Sequence, residues 1–386
     1  RQEAVHTGTF MGISPTNKKI QIRYMDFWHI KDNKINNNWV MVDFPDVLKQ
    51  LGVDIYNGHG WENFDINQQT HNCFNDENAI EKFIYEITEE IWENKQVENI
   101  RKYYSSDVIV RSPSITTYDC DKVVEATYKT LDQFPDRELI GEDVISCGKI
   151  TGTYLSSHRI LSTGTHLGDG FYGKATGKKI IYRVIADCLV VDNTIVEEWI
   201  IRDEASILLQ LGFNVRDFVE QKITDGTFLK TDIELTKNAF AQKHILNDCK
   251  NEYATKYKDY FTKLITKNTL YINDYYDRAA QLYWIGGELI YSREQIFEKW
   301  NIFLSCFKIL KHEISSSISL SQNRMRPRSA IRWRLICKHN SNGYFGTATN
   351  KEIEIYGISH AEFGRQDIVR EFILIDEISI WKQILI

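Results

Sequence analysis

Three aspartates occupy matching places in the chain. Asp43, Asp203 and Asp376 each close an apolar, strand-like run, and each lies 37 residues after a histidine (43 − 6, 203 − 166 and 376 − 339). A carboxyl set in apolar surroundings has its charged form disfavoured, so its pKa climbs towards the range useful for taking and returning a proton. The same place suits a second role. Each Asp precedes a short helical pattern ("DFPDVLKQL", "DEASILLQL", "DEISIWKQI"), where an N-cap carboxylate satisfies free backbone N–H groups. The partner histidines, His6, His166 and His339, stand where a strand enters a hairpin, a place for a structural hydrogen bond as much as for an acid/base. On the next strand Asp187 and His360 share one position, 21 residues after their histidines (187 − 166 and 360 − 339). Phe27 holds that position in the first copy, with Asp26 beside it and His29 two residues on. Titratable residues interrupting apolar strands point to a pocket. Pairing of Asp187 with His166 or Asp203, and of His360 with Asp376, is therefore the expected polar constellation.

These coincidences belong to a longer repeat. Aligned without gaps on the three histidines, the copies share Thr (Thr16, Thr176, Thr349), Lys (Lys18, Lys178, Lys351), Ile (Ile35, Ile195, Ile368), the Asp, and Gln (Gln50, Gln210, Gln383). A large aromatic recurs as Trp39, Trp199 and Phe372. The connectors repeat too: "NAI" at Asn78 and "NAF" at Asn238 each begin 28 residues after a closing Gln (78 − 50 and 238 − 210). The expected organisation is the C-terminal part of a first module over 1–53, a linker over 54–77, a second module over 78–212, a linker over 213–237 and a diverged third module over 238–386. The segment "HTGTFMGISPTNKK" then reads as the hairpin of a module whose first half lies upstream, roughly 80 residues by the repeat length.

Helical and strand periods place these residues on elements. "NAIEKFIYEITEEIW" spaces Ile80, Phe83, Ile84, Ile87 and Ile91 as one face of a helix. "DVIVRSP" reads as a short strand ending at a Pro turn, and "CDKVVEATYKTLDQF" as a second helix stopped before Pro135. The β-branched runs "KKIIYRVIADCLVV" and "TIVEEWIIRD" follow, joined by a turn at Asp192. The third module keeps this order, with a helix from about 239, a strand near "LYIND", the helix "SREQIFEKWNIFL" and then long strands. Helices first and a long antiparallel sheet afterwards is an α+β layout, with helices packed on one face of a curved sheet.

Composition excludes several classes. The 386-residue chain is 42% hydrophobic and 26% charged, a globular balance, and its net charge of −6 argues against a nucleic-acid partner. No apolar run reaches membrane-spanning length. The seven cysteines lack CxxC spacing, so reduced thiols in a cytoplasm are expected rather than a disulfide framework or a zinc cluster. No metal-ligand spacing and no phosphate-binding motif stands out, and no cofactor is expected. The run "NRMRPRSAIRWR" reads as a hairpin and strand whose arginines form a solvated or intermodule salt-bridge surface.

The motifs "FPD" (134–136), "STGTHLGDGFYGKATGKK" (162–179) and "NTIVEEWIIRDEASILLQLG" (193–212) resemble the SnoaL-like polyketide cyclases. The first module matches through "HTGTFMGISPTNKK" and "NKINNNWVMVDFPDVLKQLG", and the third diverges, with Phe372 for Trp and "WKQI" for "LLQLG". The resemblance implies tandem cones of the nuclear transport factor 2-like superfamily, each a curved antiparallel sheet closed by helices around a pocket. It implies an aldol-type ring closure in which an Asp acts as acid and base. On that basis Asp203, His166, Asp187, Asp376 and His360 are the catalytic candidates, with Trp199, Tyr118, Tyr172, His339 and Trp333 against a ligand. His6, Asp26 and Asp43 mark the incomplete first site. The expected ligand is a small hydrophobic molecule, with modules docked within the chain or chains paired as a homodimer. Two functions stay open: a cyclase, isomerase or dehydratase acting on a hydrophobic carbonyl compound, and a non-catalytic binding or scaffold protein of tandem cones.

Overall fold

β-Branched runs too long for a single edge strand fold into broad sheets, and here the second and third modules build the same sheet twice. The computed structural model describes residues 2–53, 76–148, 152–234, 251–266, 275–322, 325–364 and 367–386. It falls into two units, Arg1–Cys73 and Phe74–Ile386. The first unit pairs β1 (Gln2–Val5) with β2 (Lys19–Ile22) and β3 (Tyr24–Lys31) with β4 (Lys34–Val42), followed by α1 (Phe44–Leu51). Its core is small: Ile20, Val47 and Leu51, with Ala4, Phe10, Ile13 and Ile22 against them. Phe27, Trp28, Trp39 and Met41 on the β3–β4 hairpin are exposed.

In the second unit, α2 (Asp76–Thr88) leads through a π-turn to β5 (Tyr104–Arg111), β6 (Thr116–Tyr118) and α3 (Cys120–Gln133). β7 (Glu138–Gly148), β8 (Thr153–Thr165), β9 (Lys179–Val191), β10 (Thr194–Arg202) and α4 (Glu204–Leu211) complete the second module. The third repeats it after α5 (Val215–Thr224): α6 (Glu252–Ile265), β11 (Tyr276–Trp284), β12 (Glu288–Tyr291), α7 (Arg293–Ser305), β13 (Phe307–Leu320), β14 (Arg328–His339), β15 (Glu352–Phe363), β16 (Ile368–Ile375) and α8 (Glu377–Leu385). Strand orders are β6-β5-β10-β9-β8-β7 and β12-β11-β16-β15-β14-β13, the same topology. Across β6–β10 a residue of the second module finds its counterpart 173 positions on (339 − 166), while along β5 the shift is 172 (283 − 111). The segment expected as a linker carries α5, whose Val215, Phe218 and Val219 are buried. The motif "NAF", the helix start near 239 and "LYIND" lie outside the described residues. Cys120, Cys188, Cys306 and Cys337 are free and buried. Cys147 is disulfide-bonded, which corrects the expectation that all thiols are reduced.

The two sheets dock through the faces turned away from their helices. Ile145, Leu155, Ile185, Leu189, Trp199 and Ile201 meet Ile318, Leu320, Ala330, Tyr356, Ile358 and Leu374 in one apolar cluster. Charged residues in this seam are paired, because an unpaired buried charge is costly. Arg332 donates to Asp187 at 3.1 Å, and Arg328 pairs with Asp143. The packing is pseudo-symmetric: Arg332 lies 3.7 Å from the Trp199 ring centroid, and its counterpart Arg159 lies 3.6 Å from that of Phe372. Of the arginine run, Arg328 and Arg332 are thus buried between modules, not solvated. Removing one member of such a pair leaves the other charge uncompensated. Arg332→Met is expected to cost about 3–5 kcal/mol in urea unfolding. Adding Asp187→Asn should recover more than half of that loss, and equal stability of single and double variants would show the two groups to be uncoupled.

Candidate active site

Residues two apart on a strand share a face, and on the concave face of the second module they enclose a cavity of about 180 Å³. Its floor carries His158 and Ile160 from β8, Val184, Ala186 and Cys188 from β9, and Glu198, Ile200 and Arg202 from β10. Helices α2 and α3 close it with Ile84, Thr88, Thr127 and Thr130, and Tyr104 and Arg137 complete the wall. A bulge between Ile195 and Glu197 shifts the register of β10. The extra residue lets Ile195 and Glu198, three apart, both face inward.

Three groups give the cavity its chemistry. Glu198 is buried, 7% exposed, and accepts a hydrogen bond from the Tyr104 hydroxyl at 3.1 Å. Burial pushes its carboxyl up, against the opposing pull of that hydrogen bond and of Arg202. His158 contacts Thr88 through Nδ1 at 3.4 Å and Tyr85 edge-on. Burial, then the charge of Arg159, pushes its imidazole down to about 3, so it is neutral. Its Nε2 has no hydrogen-bond partner among the described residues. Arg137 donates through Nε to Ser162 Oγ at 3.2 Å. Among the described residues no group of three or more His, Cys, Asp or Glu is placed to hold a metal ion.

None of the residues expected from the sequence to be catalytic or to contact a ligand lines this cavity. Asp203 caps α4 by accepting from Ser206 N–H at 3.0 Å, and also accepts from Gly286 and Gly287 N–H at 2.9 and 3.0 Å. It borders a second cavity of about 300 Å³ at the module seam, with Arg183, Tyr283 and Phe372. Asp376 caps α8 through Ser379 N–H at 3.1 Å and accepts from Ser114 Oγ at 2.5 Å. Asp43 caps α1 through Asp46 N–H at 3.2 Å. Asp187 and His360 face the seam, not the cones: Ser157 Oγ lies 2.5 Å from Asp187 Oδ1 and 2.7 Å from His360 Nε2. The expected pairs of Asp187 with His166 or Asp203, and of His360 with Asp376, do not form. Trp199 is fully buried in the seam, and Tyr118 is exposed on β6. Tyr172 packs on Phe134 and donates to Glu204 at 2.5 Å. Asp26 is exposed and accepts from Asn38 at 3.4 Å.

The repeated residues share one set of bonds in all three modules. His6, His166 and His339 each hold Thr Oγ1 across the hairpin at 3.0, 3.2 and 3.2 Å. Lys18, Lys178 and Lys351 donate to the last-turn carbonyls of Leu51, Leu211 and Ile384. Gln50, Gln210 and Gln383 each clamp both backbone groups of one strand residue: Gln21, Ile181 and Glu354. The cavity groups carry a signal of their own, shared by the second and third modules alone: Glu recurs 32 residues after the histidine (198 − 166 and 371 − 339), where the first module has Asn38.

At the third module's counterpart positions large side chains fill the space. Phe261, Trp300, Phe303 and Trp333 stand where the second module has Thr88, Thr127, Thr130 and Ile160, and all are buried. Trp333 occupies the room left by Gly357, where a Cβ would meet its ring at 2.0 Å. The Tyr–Glu pair persists inside this packing, with Tyr257 and Tyr276 both donating to Glu371. Burial pushes Glu371 up to about 7 from 4.5. Between those values the folded state binds the proton that the unfolded chain has released, so stability falls as pH rises. The loss from pH 4.5 to pH 7 is expected to be about 3 kcal/mol. Urea titrations across this range should show a shallower decline for Glu371→Gln, and an unchanged decline would assign the effect elsewhere.

Residues 1–51 and 82–211 match the family model for SnoaL-like polyketide cyclase. Solved structures align with about one module. AclR from Streptomyces galilaeus is 23% identical over 34% of this chain and 94% of its own, with a TM-score of 0.30. IdmH from Streptomyces antibioticus is 22% identical over 34% and 97%, with a TM-score of 0.31. A SnoaL-like polyketide cyclase from Agrobacterium tumefaciens is 16% identical over 33% and 94%, with a TM-score of 0.27. No curated protein matches the chain. Residues 1–51 and 82–211, the first two modules, thus carry the SnoaL-like polyketide cyclase pattern, and the third module repeats the strand order of the second.

Proposed function

We propose that the second module is an acid/base site for a hydrophobic carbonyl compound, with Glu198 as the group that moves the proton. One observation carries this reading: a carboxyl buried in a mostly apolar cavity, held by the Tyr104 hydroxyl and with its pKa raised by burial. In its ionised form Glu198 takes a proton from the carbon beside a carbonyl, leaving an enolate and a neutral acid. The acid returns that proton to the oxygen or carbon that becomes basic in the next step, so cyclisation, isomerisation and dehydration share one device. His158 stays neutral and contributes a polar wall, not a competing base.

A specific observation favours a second reading, binding without catalysis. The Tyr–Glu pair also stands in the third module, where it ties β11 to β16 amid packed aromatics. Exchange of the α-protons of ethyl acetoacetate for deuterium, followed by NMR, separates the two. Glu198→Gln should lower the protein-dependent rate by about 10²-fold or more. Asp203→Asn should keep the rate but lower the melting temperature, since an amide offers one acceptor where three N–H groups need two. An unchanged rate in Glu198→Gln removes Glu198 from the chemistry and leaves binding alone.

A further inference from the structure

Five arginines are buried among the described residues: Arg111, Arg137, Arg159, Arg328 and Arg332. Four of them are ion-paired, with Glu197, Glu142, Asp143 and Asp187. Arg137 is the exception. It is 6% exposed, lines the second-module cavity, and its one side-chain hydrogen bond among the described residues is the neutral one to Ser162. A desolvated guanidinium without a counter-charge is costly, and the cavity is the space from which a counter-charge can come.

A second arginine lines the same end of the cavity. Arg202 lies opposite Val184 on β9, which in turn faces Ile160, two residues from the Ser162 that holds Arg137. Arg202 feels the charges of Glu198 and Glu204 but makes no ion pair with either. Glu204 is engaged by Tyr172. Glu198 stands four residues away along β10, roughly 13 Å at strand spacing. The cavity is thus polar at both ends, cationic near Arg137 and Arg202 and carboxylic near Glu198 and Tyr104, with apolar walls between.

The third module acts as an internal control. At the counterparts of His158 and Arg202 it has Ile331 and Ile375, both buried, and near the position matching Arg137 the apolar Ile309 packs against the core, beside Leu310 exposed at a bulge. The cations are absent where the space is filled and present where it is open, although the Tyr–Glu pair occurs in both. A purely structural role for the arginines would not track the cavity in this way.

We infer that Arg137 and Arg202 form an anion-binding end of the cavity, so that its ligand is an organic acid: an apolar frame with a carboxylate at one end. This rests on the cavity of the proposed function as the ligand site but not on its proton chemistry. A carboxylate meets guanidinium groups in charge-assisted, often bidentate hydrogen bonds, and its anchoring there directs the far end of the ligand towards Glu198.

Binding of matched acid and ketone probes to the full chain tests the inference by calorimetry. Benzoate and 2-naphthoate are compared with acetophenone and 2-acetonaphthone, in wild type, Arg137→Met and Arg202→Met. The acids should bind about tenfold or more tightly than the ketones, and each variant should lose that preference while keeping its affinity for the ketones. Equal binding of acid and ketone by wild type would overturn the anion site and leave the carbonyl reading standing. An acid preference that survives both substitutions would overturn the assignment to these arginines. Failure of every probe to bind would overturn the cavity as a ligand site, and the proposed function with it. The wild-type comparison stands even where a variant fails to fold.

Discussion

The second unit depends on burying both faces of each sheet. One face closes over the cone and the other is pressed against the neighbouring module, so neither has a solvated side to receive charge. Every polar group on these strands must find a partner within the protein. That requirement organises the seam: Arg332 on Asp187 and Trp199, Arg159 on Glu142, Glu362 and Phe372, and Ser157 between Asp187 and His360. An aromatic at the position of Trp199 and Phe372 gives the arginine of the facing module a flat surface at which it keeps cationic contact after desolvation.

Double burial also determines what the sequence reveals. The fold was legible because its signals are local: the helix faces around Ile84 and Val123, the Asp192 turn and the ungapped repeat all correspond to observed elements. The cavity lining was not, and three of the misplaced residues share one form. Asp187, Tyr118 and Trp199 are each one residue from a cavity-lining neighbour: Ala186 or Cys188, Thr117 and Glu198. A strand with one wet face announces its inward side by alternation, but β9 is buried along almost its whole length and reads as a continuous apolar run. A polar interruption in such a run marks a face without saying which. The bulge in β10 removes the remaining cue by shifting parity between Ile195 and Glu198.

The aspartate at the helix starts shows why recurrence pointed away from the chemistry. In the second module Asp203 receives Gly286 and Gly287 N–H from the third, a turn in which both glycines take positive φ (77° and 74°). In the third module Asp376 receives Ser114 from the second, while Ser379 donates to the Pro113 carbonyl. Each module's turn thus completes the other's helix cap. A residue that caps its own helix and latches its neighbour is needed in every copy, whether or not that copy binds anything.

An internal repeat therefore separates structure from chemistry when its copies are compared by difference. Residues identical in all three modules form the His–Thr hairpin tie, the Lys and Asp helix caps and the Gln clamp, and these bonds account for the shared signature. Residues that change together report function. Thr88, Thr127 and Ile160 become Phe261, Trp300 and Trp333, closing the space, and in the same module His158 and Arg202 become Ile331 and Ile375, while the apolar Ile309 packs near the position of Arg137. Cations and cavity are lost together because a desolvated guanidinium has no place in a packed core without a partner. The third module keeps the docking face and the helix latch: it covers the back of the second module's sheet and supplies Arg328, paired with Asp143 on β7, and Arg332, set on Asp187 of β9 and Trp199 of β10.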